Sequence, residues 1–230
     1  FIVPKAPVWI SADVTWGDVA FTAMEAAGKQ SIAILGPDGK RLAPASVFVG
    51  KTKTTAEVEL TSPGSYRIEA TDPPTYWTQL RIDGKEQWKK SPKNEITSGE
   101  IIRSDLYYAE AVAFVTVGRP TPLPEVDPED PLEIRLREHP SNLHAGKLVE
   151  LQVLSYGKHV SGAKLKVFGE GGDGHRPDLV VDCDSQGRGK VNLDRAGRYL
   201  LSSELERAVE NDPKADMHAF NAYLTVVVLK

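Results

Sequence analysis

Ala56-Glu57-Val58-Glu59-Leu60-Thr61-Ser62-Pro63-Gly64-Ser65-Tyr66-Arg67-Ile68-Glu69-Ala70 decides the fold class. Ala56, Val58 and Leu60 alternate with Glu57, Glu59 and Thr61, the period of two that marks a half-buried strand. A second strand opens at Tyr66 and runs to Ala70. Gly64 suits the tight turn between them, and Tyr66 can bury its ring while its hydroxyl reaches a backbone acceptor. The same design returns at Leu193-Asp194-Arg195-Ala196-Gly197-Arg198-Tyr199, with leucine, glycine and tyrosine in matching places and a strand from Tyr199 to Ser202. Each copy is followed by a long apolar run, at 111–117 and at 224–229. The echo predicts an all-β protein of two β-sandwich domains, immunoglobulin-like or transthyretin-like, with a single irregular sandwich as the alternative.

Other segments agree. Ser31 to Leu35 runs into the turn Gly36-Pro37-Asp38-Gly39, and Asp83-Gly84 is a hairpin signal between 79–82 and 85–88. Leu148 to Leu154 reaches Tyr156-Gly157-Lys158, Ala163 to Phe168 reads as a strand, and 184–187 is a turn between 179–181 and 190–193. Tyr223 to Leu229 is apolar on both faces and is expected in the middle of a sheet. Helical turns are expected at 19–28 and 202–210, neither long enough to be a crossover helix, so a βαβ fold is excluded.

Five prolines and four acidic residues fall within 120–131. Such a segment runs extended and resists sheet pairing. It predicts a domain at 1–119, a linker at 120–130 and a second domain at 131–230.

The chain of 230 residues carries 28 Lys and Arg against 32 Asp and Glu, a formal net charge of −4 that implies no broad basic surface and excludes a general nucleic-acid binder. No apolar run approaches the roughly 20 residues of a bilayer-spanning helix. A lone Cys183 excludes an internal disulfide and a cysteine-cluster metal site, and its neighbours Asp182 and Asp184 make it a poor nucleophile. Opening on Phe1 is read as removal of a secretion signal, ahead of a simple chosen boundary of the chain.

All five histidines lie beyond residue 138. In the polar loop Gly169 to Asp178, Glu170, Asp173, His175 and Asp178 offer ligands for a divalent cation; the simpler reading is an exposed glycine-rich loop. Asp216 and His218 sit two apart and either join that loop as ligands or serve a local hydrogen bond. Trp77, Trp88, Tyr107 and Tyr108, with Tyr76 and Lys85, Lys89, Lys90 and Lys93 nearby, are candidates for a ligand groove or for a solvated hairpin rim beside the core. Trp9 and Trp16 are expected in core or interdomain packing.

Gly157-Lys158-His159-Val160-Ser161-Gly162-Ala163-Lys164-Leu165, Asp184-Ser185-Gln186-Gly187-Arg188, Ala196-Gly197-Arg198-Tyr199-Leu200 and 214–225 occur in an order that resembles the bacterial envelope proteins of the DUF4198 family. Val8 to Asp13, Gly36-Pro37-Asp38-Gly39, 63–68 and 116–121 are similar to one branch of it. The resemblance implies a periplasmic or secreted protein of two sandwich domains, beginning just after its signal peptide. Some members accompany nickel or cobalt uptake, which implies a non-enzymatic binding or transport-accessory role. The implied cofactor is a divalent transition metal (nickel, cobalt, zinc or copper), and the implied partners are envelope transport or receptor proteins. Relatives often carry a histidine near the mature N-terminus, whereas the first histidine here is His139. A structural or protein-interaction module and a hydrolase are the alternatives, the latter without a visible nucleophile or acid–base set.

Overall fold

A computed structural model describes residues 1–28, 32–124 and 129–230. The first half contains β1 (Ile2–Val3), β2 (Val8–Trp16), β3 (Glu25–Ala26), β4 (Ile32–Leu35), β5 (Arg41–Leu42), β6 (Ser46–Val49), β7 (Thr54–Leu60), β8 (Gly64–Thr71), β9 (Thr75–Ile82), β10 (Lys85–Lys89) and β11 (Glu100–Val117). The second contains β12 (Glu133–Leu136), β13 (Leu148–Ser155), β14 (Lys158–His159), β15 (Lys164–Gly169), β16 (Leu179–Asp182), β17 (Arg188–Asn192), β18 (Gly197–Ala208) and β19 (Met217–Val228). The only helical segments among the described residues are short 3-10 turns at Lys93–Glu95 and Pro140–Asn142.

The repeated motif folds as its residues dictate. Tyr66 donates its hydroxyl to the Ser62 carbonyl at 2.6 Å, and Tyr199 donates to the Arg195 carbonyl at 3.1 Å. Both rings are buried, and each pins a turn four residues upstream. Two apolar cores result. One joins β2 and β7 to β4 and β8 through Ile34, Val58, Leu60, Tyr66 and Val117; the other joins β12, β13 and β17 to β15, β18 and β19 through Leu151, Leu165, Leu201 and Leu224. Truncating a fully buried leucine such as Leu60 or Leu151 to alanine costs about 2–5 kcal/mol in sites of this kind.

One sheet crosses both halves in the order β16-β15-β18-β19-β11-β8-β4-β5. The junction is the parallel pairing of β11 with β19, from Asp105 opposite Met217 to Ala113 opposite Thr225. β11 therefore pairs along its length with β9, β19 and β8. β19 lies between β18 and β11, the central place its two-sided apolar run required. Of the proline-rich stretch, 125–128 lies outside the described residues, as does Ser31 of the first-half strand reading.

Three local expectations differ from the structure. Residues 202–208 belong to β18, because its pairing with β19 satisfies backbone groups that a short isolated helix would leave to water. Around 19–28 there are turns and the two-residue β3, not a helix. Trp9 is not core: it sits on the outer side of β2 and is 59% exposed. Trp16 does reach across the halves, bonding Asp72 through its indole N–H and packing 6.4 Å from the Tyr223 ring.

Candidate functional site

The glycine-rich loop is held by its own side chains. Glu170 forms a two-pronged ion pair with Arg198, whose guanidinium faces the Phe21 ring. That pairing holds the Glu170 carboxyl below its ordinary range. Asp178 accepts the Gly169 N–H at 2.6 Å, and Asp173 accepts the His175 N–H at 3.4 Å. The Gly174 carbonyl accepts the Ala20 N–H, docking the loop on the first half. The His175 side chain is exposed.

Asp216 lies elsewhere. It takes Lys93 Nζ at 2.6 Å and the Ser104 N–H at 2.9 Å, and these contacts with Lys93 and Ser104 outweigh burial and lower its carboxyl. His218 stands opposite Arg207 of β18, whereas Gly169, where the loop begins, stands opposite Tyr199. Those β18 positions are eight residues apart, about 27 Å along a strand. Among the described residues no three His, Cys, Asp or Glu side chains come together as a metal centre. His139 and His144 have structural bonds, to Ser65 and to the Lys230 carbonyl. Cys183 is buried, and burial, then Asp184 and Asp182, raise its thiol.

The aromatic candidates divide between two faces. On β9, β10 and β11, Trp77, Trp88 and Tyr107 share one side, since Trp88 pairs with Gln79 and Trp77 with Asp105. Lys90 covers the Trp77 ring, Trp88 is half exposed, and Tyr107 meets Tyr223 hydroxyl to hydroxyl at 3.3 Å. Burial raises the Tyr107 phenol well above its ordinary value.

Tyr108 faces the opposite side, and there the structure assembles a surface that no contiguous motif announces. Tyr108 packs 4.9 Å from Phe220 and 5.8 Å from the His218 ring, centroid to centroid. Tyr156 meets Phe220 edge-on at 6.2 Å. Arg207 lies over both Tyr156 and Phe220, at 5.6 and 5.8 Å, and donates to Ser155 Oγ at 2.8 Å. Tyr76 sits in the same cross-strand row as His218 and Arg207, with Lys214 over its ring at 6.0 Å. Burial, then the neighbouring Tyr156 and Tyr76 phenols, raise Tyr108.

The electrostatics of this surface are one-sided. Arg207 and Lys214 enter no ion pair with any described residue, while Glu206 and Asp216 are held by Arg103 and Lys93. Phe220 forms the buried floor; Arg207, Lys214 and Tyr156 are exposed around it. Tyr156 is held at φ 48° in a two-residue hairpin turn with Gly157 at φ 70°, a conformation that disfavours a bulky residue. Sequence reasoning reached Tyr76, Tyr108 and His218, but missed Tyr156, Phe220 and Arg207. The Tyr156-Gly157 turn was the available signal.

These side chains lie on an all-β protein whose sheets pack in sandwich fashion. The domain of unknown function DUF4198 matches residues 1–207, and the chain belongs to that family. No curated protein matches the sequence. Among solved structures, the D0-D1 domain of intimin is 12% identical, with 99% of this chain and 94% of that one covered and a TM-score of 0.24. Fibronectin(III)-like modules of Clostridium thermocellum CbhA are 11% identical, with 97% and 87% covered and a TM-score of 0.21. A DUF3823 family protein from Bacteroides uniformis is 10% identical, with 96% and 99% covered and a TM-score of 0.24. No helix among the described residues is long and apolar enough to cross a membrane.

Proposed function

We propose that this DUF4198 protein is a non-catalytic binding module of the bacterial periplasm or cell exterior, built of two immunoglobulin-like or transthyretin-like sandwich units at 1–119 and 131–230. It engages its partner through the surface of Tyr76, Tyr108, Tyr156, His218 and Arg207. The observation that carries this reading is Arg207: an exposed arginine whose guanidinium stacks over two rings, with no carboxylate opposite it among the described residues. Tyrosine and arginine on a partly apolar floor are the side chains that dominate binding energy at protein contacts. The positive, aromatic character selects a partner that presents an acidic group. Metal handling is a weaker reading, because its candidate ligands stand in separate places.

Site-specific photo-crosslinking in the producing cell tests this. A photoreactive phenylalanine analogue at Tyr156 is expected to give a discrete adduct, absent when the analogue replaces exposed Lys164 on β15 and lost when Arg207→Glu is added. Equal adducts at both positions, or none at Tyr156, would overturn the assignment.

A further inference from the structure

Away from that surface, the first half presents an open sheet edge. The sheet β3-β2-β7-β6 ends at β6, Ser46-Val47-Phe48-Val49, and among the described residues β6 pairs only with β7. Phe48 is 70% exposed and Val49 46%. Phe48 points to the outer face with Ser46, whereas Val47 packs against the core below. An apolar strand with an unpaired edge is a template for another strand.

The register of β6 specifies which strand fits. Gly50 donates its N–H to the Lys53 carbonyl at the hairpin end, and Phe48 is opposite Thr55. Because antiparallel ladders alternate, Phe48 shares the inward-bonding phase of Gly50, and Val47 and Val49 direct their N–H and C=O groups out of the edge. Two copies of β6 related by a two-fold axis through Phe48 place Val47 of each opposite Val49 of the other. All four outward N–H groups of the pair then meet outward carbonyls. The two Phe48 rings come side by side on the outer face, and both valine sets stay on the inner one. A pairing centred between Val47 and Phe48 would set inward against outward side chains instead. Charge agrees: Glu57, bonded to Ser46 Oγ at 2.9 Å, sits across from the Gly50-Lys51 corner of the second copy, where Lys51 is exposed.

We infer that β6 is a homodimer edge, in which a second copy of this chain adds antiparallel across Phe48. The contact is self-complementary, so it closes at two chains and does not propagate. Four residues a side bury far less than the roughly 1,200–2,000 Å² of stable interfaces, so the dimer is weak and concentration-dependent.

Sedimentation velocity of the full chain from about 10 µM to about 1 mM is the test, the range in which such weak contacts populate. The natural chain is expected to shift from monomer toward dimer. Phe48→Lys and Phe48→Glu, both on the solvent face, are each expected to stay monomeric, since like charges meet at the axis. An equimolar mixture of the two is expected to associate again. Val47→Pro, which removes an outward N–H that the fold itself does not use, is expected to weaken association while circular dichroism is unchanged. A natural chain that stays monomeric throughout, or a Phe48→Lys chain that dimerises as well as the natural one, overturns the inference. So does a mixture that remains monomeric.

Discussion

Arg67 and Arg207 stand at opposite extremes of what a folded protein can do with a guanidinium. Arg67, on β8, is 3% exposed and surrounded by carboxylates: Glu69 at 2.5 Å, Glu110 at 3.0 Å and Asp130 at 3.8 Å. Arg207 is exposed, stacked on rings, and faces no described carboxylate. The two environments nearly touch, because Glu110 and Tyr108 are two residues apart on one face of β11. Arg67 and Glu110 line a small cavity with Val112, Leu132, Glu133, Ile134, Ala222 and Tyr223, with room for about one water. That cluster fastens β8 and β11 of the first half to the start of the second. The charge of Arg67 is consumed by the fold and holds the halves together, whereas that of Arg207 meets no carboxylate among the described residues.

The largest effect expected from this contrast is on stability. Arg67→Met leaves Glu110 and Glu69 without their cation in a water-poor site, and unfolding by denaturant should show a loss of about 3–5 kcal/mol. Arg207→Met gives up one bond to Ser155 and its ring contacts, and should stay within about 1 kcal/mol of the natural chain. Equal losses at the two sites would break the comparison.

Glu110 sharpens it. Burial, and secondarily the charge of Asp130, push its carboxyl up to about 7, against the opposing pull of Arg67. The sign follows from proton linkage. Between its ordinary value near 4.5 and about 7 the folded chain binds a proton that the unfolded chain has released. Glu110 therefore contributes stability that is present at the acid end and lost as pH rises to 7. Glu110→Gln should flatten this decline, leaving the variant relatively more stable at pH 8 than at pH 4.5 by up to about 3 kcal/mol. Matched denaturation curves at the two pH values measure it, and parallel changes in both chains would place the decline elsewhere.

How much of this was legible depends on the range of the interactions. The repeated Leu–Gly–Tyr turns, the Asp83-Gly84 hairpin and the central place of 223–229 are local patterns, and each is found where the sequence put it. The parallel pairing of β11 with β19 joins residues more than a hundred apart, and no local period encodes it. The surface at Arg207 depends on that pairing, since Tyr108 comes from β11 and Phe220 from β19. Arg207 was further concealed because Ser202 to Glu210 reads as a polar helical turn when its strand neighbours are unknown. The split of Tyr107 from Tyr108 is simple strand alternation, but it could be used only once 100–117 was known to be one uninterrupted strand.

The two hairpin turns give the finest test. Asp83-Gly84 and Tyr156-Gly157 have nearly the same backbone, at φ 51° and 75° and at φ 48° and 70°. Aspartate suits the first position of such a turn; tyrosine does not. If Tyr156 served only the fold, its replacement would be governed by the lost contacts with Phe220 and Arg207, and the variant would be destabilised. If it is held there for a partner, relief of backbone strain should match or exceed those half-exposed contacts. Tyr156→Asn is then expected to retain the natural stability or gain up to about 1 kcal/mol, while adducts from a photoreactive analogue at Tyr76 disappear. A loss well above 1 kcal/mol with adduct formation intact would make Tyr156 a structural residue and remove it from the binding surface.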